Sequence, residues 1–167
     1  MSEWQPRLAW IGLALVLLLC NAFIASRDAV LRSGTVVFLP LEPADPRSLI
    51  QGDYMTLRFA LVNDALRARP DRPPSPAAEG FAIVTLDARR VAQFRRLQPA
   101  AEPLAEGEYA LRFQVPVSRA PYVVTDAFYF AEGSAERYAT ARFGEVRVTG
   151  AGDAVLAGLR DKDFNPL

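Results

Sequence analysis

The sequence predicts a mainly β protein, with an N-terminal transmembrane helix followed by one antiparallel β domain that contains a short helix. An uncharged apolar run lies near the N-terminus, and short β-branched and aromatic runs alternate with turn residues beyond it. The remaining length, about 140 residues, suits one domain with its own core. We therefore divide the chain into a short N-terminal tail (1–7), a membrane anchor (8–26) and an extracytoplasmic β-rich domain (27–167).

The anchor is predicted from a segment without charge. Residues 8–26 carry no Asp, Glu, Lys or Arg. At ~1.5 Å per residue this segment is roughly 28 Å long, about the thickness of a bilayer core. Trp4 and Trp10 lie where an interfacial aromatic belt is expected. We expect this helix to contact membrane lipid directly.

Two other fates of the apolar segment stay open. A cleaved signal peptide would need small residues before the cut, and Phe23 is bulky at the third position before a cut after Ala25. A lipoprotein site at Cys20 would prefer a small preceding residue, whereas Leu19 is bulky. Because both interpretations conflict with a side-chain size, we favour the uncleaved anchor.

The orientation of the anchor follows from the short N-terminal tail. Arg7 lies on one side of the segment, and Arg27 and Arg32 lie on the other, so the positive-inside count is nearly balanced. A short tail followed by a single apolar run is typical of a signal anchor. We expect a single-pass membrane protein with its C-terminal domain outside the cytoplasm.

The domain is predicted to consist of short strands. Strands are expected at residues 35–39, 54–62, 81–86, 91–97, 109–117, 122–125, 128–130, 145–149 and 154–159. Turn residues at 87–90 and 150–153 predict hairpins, and clustered prolines between residues 70 and 76 predict an irregular loop. A helix is expected at 134–141 with Ser134 as N-cap.

Composition argues against several kinds of chemistry. The chain has no His, which is the commonest general base and metal ligand near neutral pH. Its single Cys20 cannot form an intrachain disulfide. The net charge is zero, and no basic face is predicted for nucleic-acid binding. We expect no cofactor, no metal and no nucleic-acid partner, and the sequence favours a non-catalytic role without settling it.

The most specific local pattern is Gly52-Asp53-Tyr54-Met55-Thr56-Leu57-Arg58-Phe59. Gly can adopt positive φ in a tight turn, and Asp can hydrogen-bond the following backbone to fix the start of a strand. In the strand, Tyr54, Thr56 and Arg58 share one face, and Met55, Leu57 and Phe59 share the other. The structural interpretation is that Tyr54 and Phe59 fill a core or its rim.

This pattern carries a family resemblance. With the preceding Asp45-Pro46-Arg47, the later Phe128-Tyr129-Phe130-Ala131-Glu132-Gly133 and the Gly144-Glu145 pair, the chain resembles the GDYXXLXY family of bacterial membrane-anchored proteins. The resemblance implies membrane anchoring and an association with polytopic membrane proteins, but no established activity. Together with the signal anchor, it predicts a single-pass protein of the bacterial inner (cytoplasmic) membrane, with its C-terminal domain in the periplasm. Phe59 stands where the family motif has Tyr, which argues against a hydroxyl role at that position.

A polar binding site is the sharper hypothesis for the motif. Arg47, Asp53 and Glu132 would converge beside Tyr54 and Tyr129, where Arg could bind a carboxylate or phosphate in bidentate fashion. Paired acids could act as acid and base or hold a hard cation. The competing interpretation is a structural ion pair between Arg47 and Asp53. The candidate residues are Asp45, Arg47, Gly52, Asp53, Tyr54, Leu57, Phe59, Tyr129, Glu132 and Gly133.

A local concentration of arginines offers another candidate surface. Arg89, Arg90, Arg95 and Arg96 flank a predicted hairpin turn. If they share one face they could meet anionic headgroups or an acidic partner, whereas otherwise they form an ordinary solvated face.

Two functional classes remain. The favoured one is a membrane-anchored, non-catalytic interaction domain, an accessory subunit of an integral, polytopic membrane protein. The alternative is a small-ligand, metal-binding or enzymatic module that uses Arg47, Asp53 and Glu132.

Overall fold

The computed structural model describes residues 4–42, 54–68, 78–100, 102–116 and 120–167. Its elements, in chain order, are α1 (Trp4–Ser33), β1 (Thr35–Pro40), β2 (Tyr54–Thr56), α2 (Ala60–Arg67), β3 (Ala78–Leu86), β4 (Ala92–Gln98), β5 (Glu108–Val115), β6 (Tyr122–Val123), β7 (Ala127–Tyr129), α3 (Ala135–Tyr138), β8 (Phe143–Val148) and β9 (Ala154–Arg160). All paired strands run antiparallel. The predicted fold class, mainly β after a long apolar helix, is confirmed.

Within the described residues, the strands form three sheets. One has the order β4-β3-β5-β6, a second has the order β1-β8-β9, and β2 pairs with β7 as a two-stranded ribbon. The hairpins predicted at 87–90 and 150–153 join β3 to β4 and β8 to β9. Alternating side chains direct one face of each sheet inward, because successive residues of a strand point to opposite sides.

A single apolar core joins the three sheets. Its largest side chains that are almost fully buried are Phe59, Leu39, Leu111, Leu159, Val37, Val84, Val123 and Val146. Complete burial of one such side chain stabilises a fold by about 1.5–3 kcal/mol. The core therefore packs the ribbon and both larger sheets against one another.

The strand predicted over residues 54–62 is wrong in its second half. Side chains alternate between exposed and buried from Tyr54 to Phe59, as expected, but helix α2 begins at Ala60. Leu61 and Ala65, four residues apart, are the buried positions of α2. That spacing places both on one helical face, and it overrides the strand pattern once Phe59 has reached the core.

Helix α3 is shorter than the helix predicted over 134–141. Ser134 occupies its N-cap position, but its side chain makes no capping hydrogen bond. The helix ends at Tyr138, and the amide of Ala141 donates to the carbonyl oxygen of Tyr138 at 3.0 Å. Half-buried Tyr138 then packs against the core.

Helix α1 is long and apolar enough to cross a membrane. Residues Arg7–Ser33 form the candidate span, with a mean hydropathy of 2.4 and none of its apolar window buried within the protein. Length and composition alone support this, and a signal sequence near an N-terminus passes the same test. The helix continues past Ser26 to Ser33, so its last two turns lie beyond the uncharged segment.

The end of α1 is closely fitted to the domain. Gly34 alone separates α1 from β1, and its amide donates to the carbonyl oxygen of Val30 at 2.8 Å. A Cβ at Gly34 would lie 2.6 Å from that oxygen and 2.9 Å from the Cβ of Arg147 on β8. Only glycine permits this approach of the helix end to the sheet.

Candidate functional site

The predicted polar site is only partly covered by the structure. Asp45, Arg47, Gly52 and Asp53 lie outside the described residues, so the convergence of Arg47, Asp53 and Glu132 stays a prediction.

The other end of that predicted site, Glu132-Gly133, forms an exposed turn between β7 and α3. Gly133 has φ 79°, a left-handed conformation that favours glycine. The carbonyl oxygen of Ala131 accepts from the amide of Ser134 at 3.1 Å, which closes the turn. This geometry accounts for Gly133 by backbone conformation alone.

The second half of the motif is part of the core. Leu57 is 4% exposed and Phe59 is 2% exposed. The Leu57 amide donates to the carbonyl oxygen of Asp126 at 2.8 Å and fixes this segment beside the chain that precedes β7. The structural interpretation of Phe59 is thus confirmed.

Gly144 provides the space that Phe59 occupies. A Cβ at Gly144 would lie 2.8 Å from Cε1 of Phe59, closer than real side chains approach. The Gly-Glu pair of the family resemblance therefore has a packing role at its first position, because a larger residue would displace the Phe59 ring.

Tyr54, in contrast, lies on the surface. It is directly opposite Tyr129 in the β2–β7 ribbon, and the two ring centroids are 5.7 Å apart. Tyr54 is 40% exposed and Tyr129 is 75% exposed. Among the described residues outside α1, these two are the exposed large hydrophobic side chains. We call them the tyrosine pair. They form an aromatic surface on a ribbon whose opposite face carries the buried side chain of Met55.

A second aromatic group packs beneath the ribbon. The ring centroids of Phe128 and Phe130 lie 5.0 and 5.1 Å from that of Tyr138. All three are half-buried against the core. Strand alternation therefore separates Tyr129, which faces solvent, from its neighbours Phe128 and Phe130, which support the ribbon from within.

An open groove runs between α1 and the domain. Its polar half, a cavity of about 370 Å³, includes Arg112, Gln114, Tyr122 and Asp153. Its apolar half, a cavity of about 500 Å³, includes Phe128, Tyr129, Val155 and Leu156. Arg27, Val124 and Ala154 line both halves. We call this the α1 groove.

The α1 groove carries more positive than negative charge. Nη2 of Arg112 lies 3.4 Å from Oδ1 of Asp153, and its guanidinium lies 5.5 Å from the centroid of the Phe81 ring. The guanidinium of Arg27 is 5.3 Å from the Phe23 centroid and pairs with no carboxylate in the described part of the chain. Two arginines thus face one acid, so the groove suits an anion.

A strained residue forms the wall between the two halves. Val124 has φ 60°, and the Thr125 amide donates to the carbonyl oxygen of Val123 at 2.6 Å. This hydrogen bond across one residue defines a γ-turn, and positive φ is rare for a β-branched residue. Such strain costs of order 1–3 kcal/mol and is concentrated at ligand clamps and other functional sites.

The sequence did not predict the α1 groove, because it depends on how α1 lies against the domain. In the sequence, Arg27 is recognisable only as a charge that flanks the apolar segment. A signal was nevertheless present, since Arg27 directly follows the uncharged segment that ends at Ser26.

Glu145 is a buried acid with a structural environment. It is 6% exposed and accepts a hydrogen bond from Nε of Arg160 at 2.7 Å and from Nη2 of Arg147 at 3.3 Å. Nη1 of Arg160 also donates to the carbonyl oxygen of Phe164 at 3.4 Å. This cluster joins the C-terminal segment to the β1-β8-β9 sheet, with two arginines on the one buried carboxylate.

The arginines around the β3–β4 turn do not form a free basic patch. Arg96 binds Glu108 in bidentate fashion, and this hydrogen bonding lowers the pKa of Glu108 to about 2. Nε of Arg95 donates to Oγ1 of Thr85 at 3.1 Å. Of these four arginines, Arg89 and Arg90 have side chains without a hydrogen-bond or ion-pair partner within the described residues. Within those same residues, no three His, Cys, Asp or Glu side chains are grouped so that they could hold a metal ion.

Comparisons with known proteins bear on the motif. Neither the curated proteins nor the solved structures gave a match to this chain. The family model described as GDYXXLXY protein matches residues 16–159, from the apolar helix to the last strand. Because the match includes the tyrosine pair, the buried half of the motif and the Gly144-Glu145 pair, the chain belongs to the GDYXXLXY family.

Proposed function

We propose that this protein is a membrane-anchored, non-catalytic interaction domain that serves as an accessory subunit of a polytopic membrane protein. In this proposal α1 spans the bacterial inner membrane and the β domain lies in the periplasm. The observation that carries the proposal is the tyrosine pair, Tyr54 and Tyr129, which is exposed on the β2–β7 ribbon.

The position of the tyrosine pair favours a partner in the membrane. Tyr129 lines the same half of the α1 groove as Arg27. Arg27 directly follows the uncharged segment, and each further helical residue rises only about 1.5 Å from the bilayer core. The pair therefore lies close to the level at which α1 leaves the bilayer, where the periplasmic loops of a polytopic protein begin.

The chemistry of the pair also suits a protein interface. Tyrosine is enriched among interface residues that contribute 2 kcal/mol or more to binding, about a 30-fold change in affinity. Its ring loses little conformational entropy when it is buried. The rings of Phe128 and Phe130 hold the ribbon from below, so the exposed rings are presented on a supported surface.

A pull-down from the native membrane tests the proposal. Full-length protein is extracted in mild detergent, and the proteins that accompany it are identified and quantified by mass spectrometry. We expect a stoichiometric polytopic protein with the wild type and at least a tenfold loss with Tyr54→Ser/Tyr129→Ser. Tyr54→Phe/Tyr129→Phe keeps the aromatic surface and should retain the partner.

The matched control lies in the β3–β4 turn. Arg89→Ser changes an exposed side chain without a protein partner in the described structure, and it should leave co-purification unchanged. A preparation without any partner would contradict the proposal. Equal recovery with the serine variant and the wild type would show that the tyrosine pair is not the interface.

A further inference from the structure

We propose that the α1 groove binds one anionic phospholipid from the membrane in which α1 is anchored. Arg27 and Arg112 would hold the phosphate-containing headgroup, and the glycerol and upper acyl chains would lie along Val155 and Leu156. This inference rests on the membrane anchor of the proposed function, but it requires no protein partner.

The position of Arg27 places the groove at headgroup level. Residues 8–26 are uncharged, and Arg27 is the first charged residue after them. Headgroups extend the bilayer from about 30 Å of hydrocarbon to 40–45 Å in total, which leaves several ångströms on each side. An arginine one residue beyond the apolar segment is therefore among the lipid phosphates.

The charge balance of the groove favours an anion. Arg27 is exposed and pairs with no carboxylate within the described residues. Nη2 of Arg112 lies 3.4 Å from Oδ1 of Asp153, which is long for an ion pair. Guanidinium groups bind phosphate oxygens through parallel hydrogen bonds. Both arginines line the polar half of the groove, so a phosphate held there would lie beside two guanidinium groups. Gln114 and Tyr122, which hydrogen-bond each other, add polar groups to the same half.

The second half of the groove explains why a lipid fits better than a free anion. A polar cavity of about 370 Å³ and an open, more apolar one of about 500 Å³ meet at Val124 and Ala154. The polar surface beside an apolar surface matches the structure of a phospholipid, in which a charged headgroup is joined to apolar chains. Acyl chains are already in apolar surroundings in the bilayer, so contact with Val155 and Leu156 lets the lipid enter the groove without exposing its chains to water, and the headgroup sets the preference.

The groove is formed in advance of binding. The close fit of Gly34 to Val30 and Arg147 fixes the end of α1 on the sheet. Val124, held in a γ-turn, fixes the opposite wall. A site built between two fixed elements avoids the ordering cost that would otherwise reduce affinity.

Native mass spectrometry of the purified full-length protein tests this site. The protein, in detergent micelles, is incubated with dioleoyl-phosphatidylglycerol or with dioleoyl-phosphatidylcholine, and retained lipid is counted per chain. We expect one phosphatidylglycerol, retained at least fivefold better than phosphatidylcholine. Arg27→Gln should reduce its retention at least threefold, and Arg27→Gln/Arg112→Gln should reduce it at least tenfold.

The control variant removes the same charge elsewhere. Arg89→Gln/Arg95→Gln, at the β3–β4 hairpin, should retain phosphatidylglycerol like the wild type. Arg27 is exposed on helix α1, so a loss seen with Arg27→Gln alone cannot be attributed to unfolding, and unchanged thermal unfolding verifies this. Equal losses in the groove and hairpin variants, or no preference for phosphatidylglycerol, would overturn the proposal.

A soluble competitor separates a lipid site from a site for small anions. Millimolar sn-glycerol 3-phosphate carries the charge without the chains and should leave the bound phosphatidylglycerol in place. Displacement by this compound would overturn the lipid assignment. Because the assay uses purified protein, its failure leaves the pull-down result intact, and a failed pull-down leaves the lipid assay intact.

Discussion

Tyr54 and Phe59 belong to the same short motif but have opposite roles. Phe59 is 2% exposed in the core, whereas Tyr54 is 40% exposed beside Tyr129. In an extended chain, residues separated by an odd number of positions point to opposite faces, so the spacing of the motif dictates this difference. Phe59, in the second half of the motif, packs in the core, whereas Tyr54, in the first half, lies on the surface.

The largest expected effect comes from the packing half. Phe59→Ala leaves a cavity beside Gly144, and we expect it to destabilise the domain by about 3–5 kcal/mol. Thermal or denaturant unfolding of the full-length protein in detergent measures the change. The far-ultraviolet circular dichroism of the β-sheets reports the transition.

The surface half supplies the control for that measurement. Tyr54→Ala removes one member of an exposed cross-strand pair, which contributes only about 0.2–1 kcal/mol. A loss of stability at Tyr54 as large as that at Phe59 would show that the two halves of the motif do not differ.

A second substitution tests whether Phe59 needs the space at Gly144. Gly144→Ala would place a Cβ 2.8 Å from Cε1 of Phe59 and 3.2 Å from Cδ1 of Leu156. Overpacking of this kind costs about 1–3 kcal/mol, and we expect a loss in that range. The same unfolding measurement applies.

A double-mutant cycle identifies the cause of that loss. Phe59→Leu shortens the side chain that faces Gly144, so Gly144→Ala should cost at least 0.5 kcal/mol less in its presence. Strictly additive effects would mean that Gly144 is required for its backbone and not for contact with Phe59.

The sequence predicted those features that depend on local patterns. Both hairpins were predicted because turn residues separate β-branched runs, and the alternation from Tyr54 to Phe59 was predicted because a strand has a period of two. The start of α2 at Ala60 was missed, since Leu61 and Ala65 also fit a short continuation of the strand. The two periods differ little over so few residues.

The candidate site shows the limit of such prediction. Burial of Leu57 and Phe59 followed from their shared face, but exposure of Tyr54 required knowing that the ribbon has no covering layer. The α1 groove combines Arg27 with Arg112 and Asp153, which are far apart in the chain. Only the packing of α1 on the domain brings them together, and no local pattern encodes that packing.

The same division between surface and core recurs in two turns. Asp87 and Asp161 each accept hydrogen bonds from two amides that follow them, and each begins a turn whose fourth residue has positive φ. Those fourth residues are Arg90, with φ 63°, and Phe164, with φ 64°. Arg90 is exposed, whereas the ring of Phe164 stacks on Phe143 at 4.5 Å.

Glycine substitution should therefore have opposite effects at the two turns. Phe164→Gly relieves the backbone but removes a packed ring, and we expect a net loss of about 1–2 kcal/mol. Arg90→Gly relieves the same strain without losing a contact. Because the left-handed conformation costs about 1–2 kcal/mol and glycine's added flexibility about 0.5–1, we expect a gain of roughly 0.5–1 kcal/mol. Midpoints of denaturant unfolding should shift in opposite directions, and a shift in the same direction would show that the packing of Phe164 does not distinguish the two turns.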